Sequence, residues 1–391
     1  MTHARAQSAH AASVRLALVE RFLDETDARQ EALLIGQGRA ALAELTARRT
    51  VRRGASFGIH KKTLFGLATE IAMVPLALQK RTPALPLALS LLLGKAIAQL
   101  RGDGRLPVLG ARGDGNRVEI AASPGFVPAL GKTFHELDLA MDGAGEDALV
   151  RLSDQGPLSA EIAALYRLYR ELCRSHGLAT RGDLLRLAAL HVHASPFAKL
   201  PIAMIDVPIG STAERLFAAA LFAHAPRALA VLPAADRVTA TALRAIDVLV
   251  TPVVEPAAEP MTAFRARLFD SDSDTAPPPE GTVQVASAPG EALEAIELAR
   301  HVLAEARSGV TFSDVAIVLR RGDRYATHLT AAFGRAGIPV DFEVGTRRPH
   351  PSGRAFLALL ACRRERGSGR RLIEYLSTGE LPHAVAPTED A

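Results

Sequence analysis

Residues 282–342 read TVQVASAPGEALEAIELARHVLAEARSGVTFSDVAIVLRRGDRYATHLTAAFGRAGIPVDF, the most regular stretch of the chain. A short apolar run, Val283–Ala286, precedes Pro289-Gly290 and a helical pattern. There Ile296, Ala299, Leu303 and Ala306 recur at three- and four-residue steps, with Glu291, Glu294, Glu297 and Arg300 on the opposite face. Gly309 follows the last turn, where a left-handed cap is expected. Residues 315–319, VAIVL, are apolar at every position, the pattern of a parallel strand covered on both faces. A second helix carries Tyr325, Leu329, Ala332, Phe333 and Ala336 on one side, and Gly337-Ile338-Pro339 ends it before a third short run, 340–342. Strand, helix, strand, helix, strand predicts a right-handed parallel α/β unit. Arg320 and Arg321 leave the carboxyl end of its second strand, where open α/β sheets bind ligands.

The 391 residues imply two or three domains. The formal net charge is +4, but only six of the 46 basic residues are lysine. This arginine excess reads first as compositional bias; arginine is also the side chain suited to bidentate phosphate contacts. Trp is absent and aromatics make up 5%, so a grip on single strands by stacked rings would be thin. Cys173 and Cys362 form no metal, cluster or disulfide framework, which fits a reducing, cytoplasmic setting. The N-terminus carries no long apolar signal core. The most apolar window, 84–93, is closed by Lys95 and Arg101 well short of the ~20 residues a membrane helix needs, and reads as a buried helix.

Residues 1–30 read as a polar lead and one helix, Ser13–Leu23. Ala32–Ile35 predicts a strand entering Gly36-Gln37-Gly38-Arg39 and a helix, the arrangement that holds phosphates on a helix N-terminus. A working P-loop needs G-x-x-x-x-G-K-[ST], and neither the lysine nor the hydroxyl is present. Residues 125–133, GFVPALGKT, end in Gly-Lys-Thr, but five residues separate the glycines where four are required, and Pro128 removes a backbone N–H. Phe126, Leu130, Phe134 and Leu137 make this an amphipathic helix instead. Arg52, Arg53, His60, Lys61 and Lys62 make 52–72 locally basic, which fits a phosphate-contacting loop and equally a solvated strand end. Residues 158–193 stay helical; His176, His191 and His193 lack an acidic or Cys partner at ligand spacing and read as ordinary histidines. Residues 202–207, IAMIDV, form a strand ending in Asp206, the position of a Mg²⁺-holding carboxylate, but Val207 stands where a water-polarising Glu would follow. Strands are expected at 228–232 and 247–254, and the Pro-, Asp- and Ser-rich segment 255–281 reads as a linker. Arg347-Arg348 opens a basic, proline-stiffened loop, after which Ser352 is expected to cap a helix whose apolar face carries Phe356, Leu359 and Leu360.

The segment FSDVAIVLRRGDRYATHLTAAFGRAGIPVDF (312–342) resembles the second RecA-like domain of UvrD/Rep-type helicases and of the AddB-type helicase–nuclease subunits related to them. Its continuation, EVGTRRPHPSGRAFLALLACRR (343–364), is similar to AddB-like proteins that carry a C-terminal PD-(D/E)XK nuclease domain. RRGASFGIHKKTLFGLATEIA (52–72) and IAMIDVPIGSTAERLFAAALFAHAPRALAVLPAADRVTATAL (202–243) look AddB-like as well. The resemblance implies α/β architecture with two RecA-like, P-loop NTPase-type parallel-sheet domains. The first spans 1–254 with a helical insertion at about 63–195, and an incomplete second spans 282–391. Many relatives have a degenerate phosphate loop, so Gly36, Gly38, Arg39, Asp206 and Arg320 are expected to form a nucleotide site that has lost hydrolysis, with ATP and Mg²⁺ disfavoured.

Metal-dependent phosphodiester cleavage needs paired carboxylates and a lysine, hence the (D/E)-X-K spacing. None of the lysines here follows Asp or Glu at that spacing, so no catalytic residue is expected, and the nuclease metal and any iron–sulfur cluster would belong to a further C-terminal part. The implied role is a helicase-like, ATPase-inactive fragment that holds DNA, single-stranded or at duplex ends, during double-strand-break processing and recombinational repair. Arg52, Arg53, Lys61, Lys62, Arg321, Arg347 and Arg348 are the candidate DNA contacts, and an active UvrD/AddA-type helicase subunit is the implied protein partner. An active ATPase and a scaffold that only pairs with a helicase are the other two readings.

Overall fold

A computed structural model of the chain describes residues 4–26, 30–110, 120–123, 125–141, 145–255, 283–342 and 351–378. The chain divides into two compact units, Met1–Thr282 and Val283–Ala391. Of the linker expected over 255–281 only Glu255 is described, and the pair Arg347-Arg348 lies outside the described residues.

The first unit is α/β. Its strands β1 (Ala4–Ala9), β2 (Ala32–Gly36), β3 (Ile59–Lys62), β6 (Ile202–Ile205), β7 (Ala228–Pro233) and β8 (Val250–Pro252) form one sheet in the order β3-β2-β6-β7-β1-β8. Every pairing in it is parallel. β2, β6 and β7 are continuous apolar runs because both of their faces are covered. The pleat sorts their side chains strictly. Leu33, Ile35, Ile202, Met204, Ala228 and Ala230 face helices α3 (Leu64–Leu78), α8 (Arg181–His191), α9 (Thr212–His224) and α10 (Arg237–Arg244). Leu34, Ala203, Ile205, Leu229 and Val231 face α1 (Ala12–Asp24) and α2 (Arg39–Arg53).

The N-terminal segment is a correction to the sequence reading: residues 4–9, expected as a polar lead, form β1 between β7 and β8. ARAQSA hides as a strand because only Ala6 and Ala9 are buried, and they are too small to mark an apolar alternation.

Helices α4 (Pro86–Gly102), α5 (Phe126–Ala140), α6 (Glu146–Ser153) and α7 (Pro157–Ser175) enclose a separate core of Leu93, Ile97, Leu130, Phe134, Tyr166 and Tyr169. A two-residue parallel pairing between β4 (Thr82–Pro83) and β5 (Leu178–Ala179) closes the base of this helical layer. The Gly-Lys-Thr stretch lies inside α5, as its amphipathic spacing predicts.

In the second unit the two expected helices form, α11 (Glu291–Arg307) and α12 (Gly322–Ala336), packed through Ala295, Ala299, Val302, Leu329 and Phe333. Gly309 and Gly337 take positive φ as their helices end. The expected strands do not form: among the described residues 283–286, 315–319 and 340–342 carry no sheet pairing. Val315, Ile317 and Leu319 pack on the helices while Val318 is 95% exposed, so one face is covered where the apolar run predicted two. A helix forms over the stretch expected after Ser352, α13 (Pro351–Arg364), and α14 (Gly369–Leu376) follows it, but the cap and the buried face of α13 differ from expectation. Ser352 sits within the first turn of α13, which buries Ala355 and Ala358 and leaves Phe356, Leu359 and Leu360 exposed. Among the described residues no helix is long and apolar enough to cross a membrane.

Candidate nucleotide-type site at the carboxyl edge of the sheet

In the first unit the sheet reverses its order of connection between β1 and β7. From β1 the chain runs through α1 on one face to β2; from β7 it runs through α10 on the other face to β8. Ligands of open parallel sheets bind at such a point, outside the carboxyl ends of the strands. The turn Ala9-His10-Ala11 lies there and leads into α1, whose first N–H groups and dipole favour an anion. Asp206 follows the apolar strand β6, one strand further along beside β7, in a left-handed conformation (φ +51°), with its N–H donating to the Val231 carbonyl at 2.9 Å.

Both positions are filled by the protein itself. Arg15, 8% exposed on the inward stripe of α1, forks onto Asp206, with Nε to Oδ1 at 2.8 Å and Nη2 to Oδ2 at 3.2 Å. Its Nη1 donates to the carbonyls of Ala9 at 3.0 Å and His10 at 2.8 Å, which fixes the turn. Ala11, the N-cap of α1, has no side chain able to accept. The Glu255 carboxylate lies just ahead of the helix, taking the N–H of His10 and, at 3.2 Å, that of Ala11. A carboxylate thus occupies the phosphate position, and a guanidinium occupies the acidic group a Mg²⁺ ion would need. The turn also has neither glycine nor lysine, so these residues do not fit Mg-ATP.

Gly36-Gln37-Gly38 lies at the same edge, since Gly36 is in register with Ile205 beside Asp206. Gly36 has a packing reason: a Cβ there would stand 2.6 Å from Leu42 Cδ2. Gly38 is the N-cap of α2 in ordinary extended backbone (φ −139°), and Arg39 is the first residue of that helix.

The basic candidates are largely committed to internal pairs. Arg52 meets Glu20 at 2.6 Å and Asp24 at 3.1 Å, and Arg53 meets Asp24 at 3.0 Å. Lys62, at the end of β3, pairs with Glu70 at 2.5 Å and lies over the Phe197 ring, and Lys61 donates to Thr46 Oγ1 at 3.4 Å. In the second unit Arg320 is exposed, and Arg321 pairs with Asp323 at 3.2 Å, which lowers the Asp323 pKa.

A second ion cluster lies beneath the helical layer. Asp138, 3% exposed, accepts from Arg186 at 2.8 Å and from the Gly182 N–H at 2.8 Å, and Arg170 stands 3.1 Å away. Asp183 meets Arg81 and Arg170, each at 2.6 Å, and Arg186 at 3.2 Å. Burial alone would raise the Asp183 pKa, but the Arg170 guanidinium outweighs it and holds the carboxyl well below the usual range. Burial also pushes Tyr166 up to about 12 and the Cys173 thiol up to about 11, which leaves both neutral at physiological pH.

Sequence reasoning found Asp206 and missed Arg15 and Glu255. The available signal was a lone arginine in register with Val19, Phe22 and Leu23 on the buried stripe of α1. No protein-family model matches the chain, and no curated protein is significantly similar to it.

Proposed function

We propose that the chain is a helicase-like, ATPase-inactive DNA-holding part of an AddB-type helicase–nuclease that acts in double-strand-break end processing and recombinational repair. In this reading the first unit is RecA-like, and the second is a RecA-like unit whose described residues keep the two helices but not the paired strands. The observation that carries the loss of ATPase activity is the double internal occupation of the sheet edge, Arg15 on Asp206 and Glu255 on the N-terminus of α1. The parallel sheet, with its first strand entering a helix at the switch point and an acid-ended strand close by, supports a RecA-type ancestry. DNA contact rests on the resemblance and on the second unit, where Arg320 and Arg321 follow the apolar run 315–319. Arg52, Arg53 and Lys62 contribute less to such contact, because their carboxylate partners must be released first.

A scaffold that pairs with an active UvrD/AddA-type helicase subunit is the second reading, and one observation favours it. Met73, Val74 and Leu78 on α3 and Leu85, Leu87 and Leu91 at the start of α4 are 47–82% exposed. A helix apolar all round is normally covered on all sides.

Fluorescence-anisotropy titration of labelled single-stranded and duplex-end DNA at two salt concentrations, with and without Mg-ATP, separates the readings. The proposal expects binding that weakens with salt, ignores ATP and falls in Arg320→Ala/Arg321→Ala. An ATP-dependent change would restore the active-ATPase reading, and no binding at either salt concentration would leave the scaffold.

A further inference from the structure

Three histidines from two segments of the first unit stand together where two packed helices end. His191 closes α8, His193 follows in the 3-10 turn Val192–Ala194, and His224 closes α9. The ring centroids of His191 and His193 are 6.1 Å apart, and those of His193 and His224 are 6.5 Å apart. His193 and His224 are exposed, and His191 is half-buried. The sequence alone offers His191 and His193 no further ligand; the packing of α9 against α8 brings one.

Two features make this cluster suited to a cation. Nδ1 of His224 lies 2.9 Å from the Ala220 carbonyl, and a carbonyl can only accept. Nδ1 therefore carries a proton, so in the neutral ring the lone pair is on Nε2, the backing that metal-bound histidines commonly have. Both helices also end at the cluster, and the partial negative charge of a helix C-terminus favours a positive ion.

We propose that His191, His193 and His224 form a binding site for a divalent transition-metal ion of the Zn²⁺ or Ni²⁺ class. In their present rotamers no three donors among the described residues are placed to share an ion. With metal–nitrogen distances of about 2.0–2.1 Å, two imidazoles on one tetrahedral ion have centroids about 5 Å apart, so the His191–His193 and His193–His224 pairs must each close by about 1 Å, and His191 and His224 must converge on the ion from either side of His193. Rotation about χ1 and χ2 of the exposed His193 and His224 side chains, toward the half-buried His191, supplies that movement. Three neutral imidazoles leave a fourth position for water or for a ligand from another molecule.

The test is titration of the untagged full chain with Zn²⁺ against a chromogenic chelator. One ion per chain is expected. His193→Ala removes the ring adjoining both others and is expected to weaken binding at least about tenfold; His224→Ala should do the same. His176→Ala, at the end of α7, should leave binding unchanged. Electron paramagnetic resonance of the Cu²⁺-loaded chain gives a second readout: nitrogen couplings from three imidazoles, falling to two in His224→Ala. Absence of binding in the wild-type chain would overturn the proposal. So would unchanged affinity in His193→Ala, or an equal loss in His176→Ala. None of these outcomes depends on DNA or nucleotide binding.

Discussion

Two arginine-centred ion clusters tie the first unit together, and their surroundings set them apart. At the sheet edge, Arg15 joins β6 to the β1–α1 turn, and the Asp206 side chain remains 37% exposed. Beneath the helical layer, Asp138 and Asp183 share Arg81, Arg170 and Arg186, and the side chains of the two acids are 3% and 12% exposed. The first cluster stands where a parallel sheet binds ligands and closes that place. The second has no such position, and its work is to fasten α5, α7 and α8 to one another. The same guanidinium–carboxylate chemistry plugs a site in one place and clamps a fold in the other; what decides is how much water reaches the acid.

The clamp should show the largest effect. Asp138→Ala leaves Arg186 without its carboxylate and the Gly182 N–H without an acceptor, so a loss of about 3–5 kcal/mol is expected by urea unfolding. Asp138→Asn keeps an acceptor and should lose less. A loss below about 1 kcal/mol for the alanine variant would mean that helix packing alone holds the layer, and the contrast between clamp and plug would fail.

The clamp also predicts acid sensitivity. The Asp183 pKa is lower in the folded chain than in the unfolded one, so below the ordinary carboxylate range the unfolded chain binds the extra proton. Stability is therefore complete at neutral pH and falls as pH drops through about 4 and below. Asp183→Asn should flatten the acid limb of a stability–pH profile. An unchanged limb would move the acid dependence to other carboxylates.

The two clusters were unequally visible in the sequence, for a physical reason. Strands β2, β6 and β7 were legible because burial on both faces writes a continuous apolar run. β1 was not, since its buried residues are two alanines. The run 315–319 was legible as apolar, but a ladder needs a neighbouring strand, which is a non-local property. Asp206 was read from the end of its strand, whereas its partner Arg15 lies 191 residues away and Glu255 lies 245 residues from His10. Local periodicity places side chains on faces; it does not say which distant group they meet.

At the plug a smaller loss is expected. Arg15→Ala frees Asp206 and the Ala9 and His10 carbonyls, but water already reaches Asp206 and solvates it. About 2 kcal/mol is the expected cost, below that of a sealed pair. Calorimetric titration with Mg-ATP should still detect no binding, because Glu255 keeps its place and no lysine is present in the turn. Nucleotide binding by this variant would show that Arg15 alone closes the site.

The smallest effect should come from Glu255. Glu255→Gln preserves an oxygen that can accept an N–H and removes the negative charge at the start of α1, so only the dipole part of the cap is lost. About 0.5–1 kcal/mol is expected, shrinking as salt screens the charge. Glu255→Ala removes the acceptor as well and should cost about as much as deleting an N-cap side chain, ~1 kcal/mol. Global stability barely separates these values, but amide hydrogen exchange does, because the cap protects two identified groups. The His10 and Ala11 amides should exchange faster in Glu255→Ala than in Glu255→Gln, while β1 and the rest of α1 keep their protection. Equal exchange in all three chains would mean that the α1 N-terminus is not held by Glu255 in solution. The phosphate position would then be open, and the loss of nucleotide chemistry would rest on Arg15 and the missing lysine alone.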